Sequence, residues 1–595
     1  MRYRFGRPHV FSRMSFESRL LTVVALGLAA VLFYLAVHQA MLQWQFRIRF
    51  PYWDMVGIVS LLDAIPRPGI LDLYHSVRDN EHRPIVPFLF YLWDRNRFGD
   101  SDELLYRAIM VSNALLAVSL LGILAVRRQL DFPLKVLFAA IVFLSFFSIF
   151  NYENLTWQKQ IHEILCVTLL SFGLLVAATV STRADNDRNT PIDTALALLS
   201  GLLCLAATYS FGFGLTAWPA VLAHGLLRRW RWAPLFTFAA IAVFAVVTYA
   251  FTYTVLAHHT NPAEAALRPL AIARYVLHII GGGWLIQQGS PVPTAVSVIA
   301  APAVILSLVL TLRFYLSAAA QPSSWFGRIV GGHAAMLIIA SLGVAVMVAL
   351  GRLTVNEGID SRYAVVGFLF WCALLILFLM TLRRIAAPTI VVVFALLIFA
   401  VGYLPARAFE DRLRSREQDM YRAGVMATDR LQYWPKFPAL FPAGPPLFTV
   451  WHKPRPPFPS FAKRQPFGWI GANLSDLPPA PSSSRCFGFV DIVSPLPEEP
   501  RVITLTGWAF IASPDTHLRW VMVTDLSDRG LGVGKPGLAR PDVRTVYAGQ
   551  GVNENRDDQL FAGYTIAAVR EPGQKLLMWG IDDAGRACRL GGPVG

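Results

Sequence analysis

The chain has 595 residues, 55% of them hydrophobic and 15% charged, with a formal net charge of +15. A mean hydropathy of +0.48 and repeated apolar runs of about twenty residues, enough to cross a hydrocarbon core roughly 30 Å thick, exclude an ordinary soluble globular protein. The cations are divided among short connections between these runs, so topology and anionic headgroups account for the charge, and nucleic acid is not expected as a partner.

The pattern predicts a polytopic α-helical membrane protein of about eleven spans, at about 20–41, 105–126, 133–150, 161–181, 192–209, 212–227, 233–256, 294–312, 329–350, 364–382 and 387–404. The N-terminal tail, 1–19, is basic and precedes an apolar run with no small-residue cleavage pattern, which reads as a retained signal anchor. Glycines weaken a helix, so breaks or re-entrant segments are expected around Phe211-Gly212-Phe213-Gly214 and Gly281-Gly282-Gly283.

Every second connection carries the cations: Arg127, Arg128 and Lys135; Arg183 and Arg188; Arg228, Arg229 and Arg231; Arg313 and Arg328; Arg383 and Arg384. The positive-inside rule puts these and the tail in the cytoplasm. The loop 42–104, the short loops 151–160 and 351–363, the segment 257–293 and everything from 405 onward are then expected outside.

The first external loop holds two polar groups. Asp54 ends the run Phe50-Pro51-Tyr52-Trp53-Asp54 within an aromatic belt suited to headgroup depth, and Asn80-Glu81-His82-Arg83-Pro84 precedes the next apolar stretch. A lipid phosphate leaving group needs positive charge, and a hydroxyl nucleophile needs a base. Asp54 fits the base, while His82 and Arg83 fit the phosphate. The structural alternative is that Asp54 caps a surface helix and Glu81 pairs with Arg83 on a solvated loop.

Further along, Asn151-Tyr152-Glu153-Asn154-Leu155-Thr156-Trp157-Gln158-Lys159-Gln160, followed by His162 and Glu163, interrupts two spans with hydrogen-bonding groups. Ionisable residues at the membrane edge are costly and mark substrate paths, although an ordinary polar turn anchored by Trp157 accounts for them equally. Arg352 and Arg362 flank Asn356, Glu357 and Asp360 ahead of Tyr363, against the positive-inside trend. An anionic ligand such as a phosphate explains these arginines, and so does internal pairing with Glu357 or Asp360. There is no Walker-type loop, no Cys-x-x-Cys and no His-Glu-x-x-His, so an activated donor would have to arrive already energised. His258-His259 is a weak metal candidate, and no metal ligand is assigned.

After 404 the chain changes character. The region 405–484 reads as a polar helix over about 406–432, suited to the membrane surface, and then a Pro-rich linker whose missing amide donors exclude regular helix. From 485 to 595, alternating aromatic and β-branched runs at 501–510, 518–524 and 575–580 predict a small all-β sandwich. Cys166, Cys204 and Cys372 lie in expected spans, whereas Cys486 and Cys588 bracket this unit. A disulfide between them would close a loop of roughly 100 residues, a chain-entropy effect on the order of 4–5 kcal/mol. Two unrelated thiols are the alternative.

The order of these features resembles the GT-C glycosyltransferases over about residues 15–405. The resemblance rests on Trp53-Asp54, Asn80-Glu81-His82-Arg83, Glu153-Asn154 with Trp157-Gln158, Gly214-Leu215 with Trp218-Pro219, and Ser361-Arg362-Tyr363, all short elements of an uncharacterised bacterial family near that fold. It implies transfer of a sugar from a polyprenyl-phosphate donor to a glycan, lipid or protein acceptor at the outer face of the bacterial cytoplasmic membrane, with inversion. Asp54 is then the expected base. Many members carry two adjacent acids there, whereas this chain has Asp54-Met55, which leaves Glu81 as the other candidate. Glu153, Trp157, Gln158, Arg352, Arg362 and Tyr363 join His82 and Arg83 as expected substrate contacts. Divalent-metal dependence varies among such enzymes and stays open. Gly507-Trp508-Ala509, Gly537, Arg540-Pro541-Asp542-Val543 and Ala562-Gly563-Tyr564 resemble a β domain attached to bacterial glycan-synthesis enzymes, with Trp508, Trp520 and Trp579 as stacking faces or core residues. A flippase or export component for lipid-linked saccharides is the alternative function; mid-depth polar residues in several spans would favour it.

Overall fold

The computed structural model describes residues 16–48, 55, 58, 61–62, 69–77, 82–98, 102–125, 131–182, 190–251, 260–282, 293–316, 324–353, 360–381, 387–403, 406–428, 466–480, 485–496, 499–513, 515–550, 552 and 556–594. Asp54, Glu81, His258, His259, Asn356, Glu357 and most of the Pro-rich stretch lie outside these residues. By internal contacts the chain divides into two units, one formed by 1–45, 69–90 and 105–406, the other by 46–68, 91–104 and 407–595.

The first unit is helical. In order it contains α1 (Phe16–Gln45), α2 (Ile70–Ser76), α3 (Ile85–Phe98, shared with the second unit), α4 (Glu103–Leu120), α5 (Phe132–Phe147) and α6 (Tyr152–Thr156). It continues with α7 (Ile161–Thr179), α8 (Thr190–Thr208), α9 (Ala217–Leu227), α10 (Trp232–Ala250), α11 (Pro262–Ala266) and α12 (Pro269–Gly282). The last helices are α13 (Pro293–Leu316), α14 (Trp325–Arg352), α15 (Ala364–Thr381) and α16 (Ala387–Tyr403). Among the described residues nine helical segments are long and apolar enough to cross a membrane. Large apolar side chains such as Val23, Phe244 and Leu308 stand more than half exposed on α1, α10 and α13. Lipid is the solvent that would cover such a surface.

Every one of the eleven expected spans has a helix in its place; α5, with 16 residues, reaches crossing length with the helical pieces that continue it to Thr156, whereas α9 with 11 residues and α16 with 17 are short. The expected break at Phe211 to Gly214 is real. Phe211 is extended and Gly212–Thr216 forms a 3-10 turn before α9. The turn lies so close to α8 that a Cβ on Gly214 would fall 2.3 Å from the Thr208 amide nitrogen, which only glycine tolerates. A further apolar helix of 14 residues, α12, lies within the segment 257–293, where the sequence predicts an external connection.

Span interiors are not wholly apolar. Ser119 and Ser171 hydroxyls are 2.8 Å apart, and Ser171 also meets His333 Nε2 at 3.2 Å, all buried between α4, α7 and α14. In a dry interior polar groups must satisfy one another, and this trio does.

The second unit is built on an antiparallel sheet of seven strands, β1 (Arg485–Leu496), β2 (Glu499–Ala512), β3 (Leu518–Thr524), β4 (Gly530–Gly534), β5 (Gly563–Val569), β6 (Leu577–Asp582) and β7 (Ala587–Arg589), in the order β1-β2-β5-β4-β3-β6-β7. The expected strands at 501–510, 518–524 and 575–580 correspond to β2, β3 and β6, joined here in one continuous sheet that curls as a half-barrel. Its inner face packs Ile503, Leu505, Val521, Val523, Ile566 and Met578 into a core. The Cys486–Cys588 disulfide ties edge strand β1 to edge strand β7 with a Cα separation of 6.3 Å. Cys166, Cys204 and Cys372 are free and buried in the helical unit.

Helix α17 (Ala406–Thr428), read from sequence as a helix for the membrane surface, is docked on this sheet. Gln418 donates to the Lys535 carbonyl at 2.5 Å and accepts from the Thr565 amide at 3.2 Å, and Lys535 pairs with Glu417 at 2.9 Å. Tyr421 meets Trp520 edge-on at 5.3 Å. The start of the first loop belongs to the same unit: Arg47 pairs with Glu103 at 2.5 Å, and the Arg414 guanidinium of α17 sits 5.2 Å from the Phe46 ring.

Candidate functional site

Polar residues of the helical unit converge where α6, the 3-10 turn Gln158–Gln160, the start of α7 and the 3-10 turn Ser361–Tyr363 meet. The chain bends here because three short helical pieces, Ile149–Asn151, α6 and Gln158–Gln160, separate α5 from α7. Asn151 caps that bend, its amide donating to the Phe146 carbonyl at 2.9 Å.

Glu153 and Asn154 hold the backbone of one residue between them. The Glu153 carboxylate accepts the Arg362 N–H at 3.2 Å, and the Asn154 amide donates to the Arg362 carbonyl at 2.8 Å and to Asn151 Oδ1 at 2.7 Å. The second Glu153 oxygen accepts from the Tyr152 hydroxyl at 3.3 Å. With its backbone fixed, Arg362 directs its guanidinium to Asp360 at 2.8 Å and lies 5.3 Å from the Tyr363 ring. The internal pairing anticipated for this arginine is therefore present with Asp360.

Trp157 and Gln158 are buried, and Tyr106 Oη lies 3.0 Å from the Thr156 carbonyl and 3.2 Å from Gln158 Oε1. These contacts make both residues part of the frame of the bend. Lys159 Nζ sits 5.6 Å from the Trp157 ring.

Glu163, in the first turn of α7, is only 4% exposed. Its Oε2 is shielded from solvent and has no hydrogen-bond partner among the described residues. The charges acting on it come from Arg362, Lys159 and Arg352, in that order, and from Glu153. Arg352, at the end of α14, thus shares a field with Arg362 and Lys159 although the three lie on different elements. Tyr275 is buried on α12, the helix that packs against the Ser361–Tyr363 turn.

His82 and Arg83 diverge. The His82 ring packs 3.8 Å from Phe211, and Phe211, Phe213 and Tyr363 continue as a chain of rings at 4.6 and 6.5 Å. Arg83 is buried, donates to the Tyr74 carbonyl at 2.9 Å and lies 5.5 Å from the Tyr74 ring, so its identified contacts anchor α2.

Glu163 belongs to the membrane-edge polar group expected to mark a substrate path or an ordinary turn, whereas Tyr275 is not among the expected site residues. Glu163 had a signal, a carboxylate inside an otherwise apolar run, whereas Tyr275 had none beyond lying in an amphipathic stretch. Among the described residues no three His, Cys, Asp or Glu side chains gather as a metal site. Of the tryptophans considered for stacking, Trp520 is buried against Tyr421, whereas Trp508 is half-buried beside Phe510 and Tyr547. No family model, no curated protein and no solved structure matches the chain.

Proposed function

We propose that this protein is a membrane glycosyltransferase that moves a sugar from a polyprenyl-phosphate donor to a cell-envelope acceptor at the outer face of a bacterial cytoplasmic membrane. The observation that carries this reading is the convergence of Glu153, Lys159, Glu163, Arg352, Arg362 and Tyr363 at one end of a membrane-type helix bundle. Glu153, Lys159, Arg352, Arg362 and Tyr363 come from connections that the arginine distribution assigns to the same side, and Glu163 stands in the first turn of α7 directly after one of them.

In this reading a carboxylate, Asp54 or Glu81, takes the proton of the acceptor hydroxyl as its oxygen attacks the anomeric carbon. The bond from that carbon to the phosphate oxygen breaks, and the lipid phosphate departs with the electron pair. Cations near the bend stabilise the charge that develops on it. The sugar inverts because attack and departure occur on opposite faces.

The buried Ser119, Ser171 and His333 trio favours the second reading, a carrier that passes lipid-linked saccharide across the bilayer, since carriers hold polar groups inside the helix bundle. Reconstituted vesicles with a defined polyprenyl-phosphate sugar separate the two. Asp54→Asn keeps size and hydrogen bonding but not basicity, so transfer should fall at least about a hundredfold with folding intact. A loss confined to Glu81→Gln moves the base to Glu81. Full transfer in Asp54→Asn, Glu81→Gln and Arg362→Ala, or saccharide movement without transfer, would establish the carrier instead.

A further inference from the structure

The two acids of the bend differ in what they have left to offer. Glu153 has both oxygens engaged, one by the Arg362 amide and one by the Tyr152 hydroxyl. It is a positioning residue, holding the turn that carries Arg362. Glu163 is as deeply placed as a core residue, at 4% exposure, yet its Oε2 accepts nothing among the described residues.

A carboxylate oxygen denied both water and a donor costs on the order of 1–3 kcal/mol or more, and native interiors seldom carry that cost without a compensating use. Generic stabilisation by neighbouring charge does not supply the missing contact. Arg362, Lys159 and Arg352 act on Glu163 through space from three elements, and Glu153 opposes them from a fourth. Arg362 spends its guanidinium contact on Asp360, and Lys159 faces the Trp157 ring. A field of cations with one acceptor left open suits a ligand that brings an anion and a hydroxyl donor together, the anion for the cations and the hydroxyl for the open oxygen.

We propose that Glu163 is a ligand-binding carboxylate whose open Oε2 accepts a hydrogen bond from a sugar hydroxyl of the lipid-linked donor. The assignment rests on the function proposed above and narrows it. Glu163 recognises the saccharide part of the donor, and the lipid phosphate is recognised elsewhere in the cluster. An apolar or non-hydroxylated headgroup would leave the oxygen unfilled and would bind less well.

The test labels the full chain in nanodiscs with the membrane-permeant reagent dicyclohexylcarbodiimide, which converts a buried carboxyl to an N-acylurea that peptide mass spectrometry locates. Glu163→Gln identifies the Glu163 signal by removing it. A short-chain prenyl-phosphate glucose, added at about ten times its dissociation constant, should slow modification of Glu163 about tenfold. The same prenyl phosphate without the sugar should not slow it. Binding of each lipid is followed on the same samples by tryptophan fluorescence. Glycolipid binding without protection, or equal protection by the sugar-free lipid, overturns the role of Glu163 and leaves the proposed function standing. Absence of glycolipid binding overturns both.

Discussion

Glu153 accepts the backbone N–H of Arg362 at 3.2 Å across 209 residues of sequence, and Asn154 takes the carbonyl of that same residue at 2.8 Å. Two adjacent side chains thus hold the turn that enters α15. Replacing Glu153 by Ala strands a partly buried amide and should cost about 1–3 kcal/mol, whereas Glu153→Gln keeps an acceptor and should cost less. Because both side chains grip one residue, Glu153→Ala and Asn154→Ala should couple by at least about 0.5 kcal/mol in a double-mutant cycle. Unfolding midpoints in one detergent check this, and strict additivity would show that the two contacts act independently.

The Cys486–Cys588 bond joins the two edges of the seven-stranded sheet over a sequence separation of 102. Removing both sulfurs with Cys486→Ser and Cys588→Ser should lower the stability of the second unit by about 2–5 kcal/mol and expose β1, whose outer edge would lose its neighbour. Limited proteolysis should then cut within 485–496 at concentrations that spare the oxidised protein. Non-reducing peptide mapping should recover the linked pair from native protein; two free thiols after oxidising purification would contradict the structure.

Much of this was legible in the chain and some was not, for physical reasons. Span positions follow from uninterrupted apolar runs, and the break before α9 follows from glycine at a contact that excludes a Cβ. The disulfide was readable because two cysteines bracket an alternating region. The docking of α17 was not, since an amphipathic polar helix has the same pattern whether its apolar side meets lipid or a sheet; Gln418 and Tyr421 decide it only through partners more than ninety residues away. Arg83 and Glu153 carry charges suited to a ligand, yet each makes a hydrogen bond to backbone distant from it in the chain or in the neighbouring helix, and no local spacing reveals that.

Stability of the second unit should depend on pH through His517. Its Nδ1 lies 2.9 Å from Asp558, and that hydrogen bond raises the imidazole above its ordinary value near 6.5. The partners do not mirror one another, since burial outweighs the pull of His517 and raises Asp558 as well. For His517 the sign is clear. The folded state holds the proton more tightly than the unfolded state, so the contribution is complete below about pH 6.5 and is lost as pH rises through the folded value. Asp558→Asn should flatten the dependence of the unfolding midpoint across that window. An unchanged slope would assign it to other groups.

The arginine distribution predicts that 42–104 and 405–595 share one side of the membrane, with 228–232 on the other. The second unit combines 46–68, 91–104 and 407–595, as segments on a common side can. Cysteine accessibility tests this without removing native thiols, because Cys166, Cys204 and Cys372 are buried and Cys486 and Cys588 are bonded. Asn96→Cys and Lys575→Cys introduce thiols at exposed positions expected outside. Arg229→Cys marks the opposite side, and it replaces one non-glycine residue at φ 53° with another, so it adds little backbone strain. A membrane-impermeant maleimide applied to intact spheroplasts should label the first two and spare the third until the membrane is opened. Labelling of Arg229→Cys from outside, with protection of the other two, would invert the orientation and move the Glu153, Glu163 and Arg362 cluster to the cytoplasmic face.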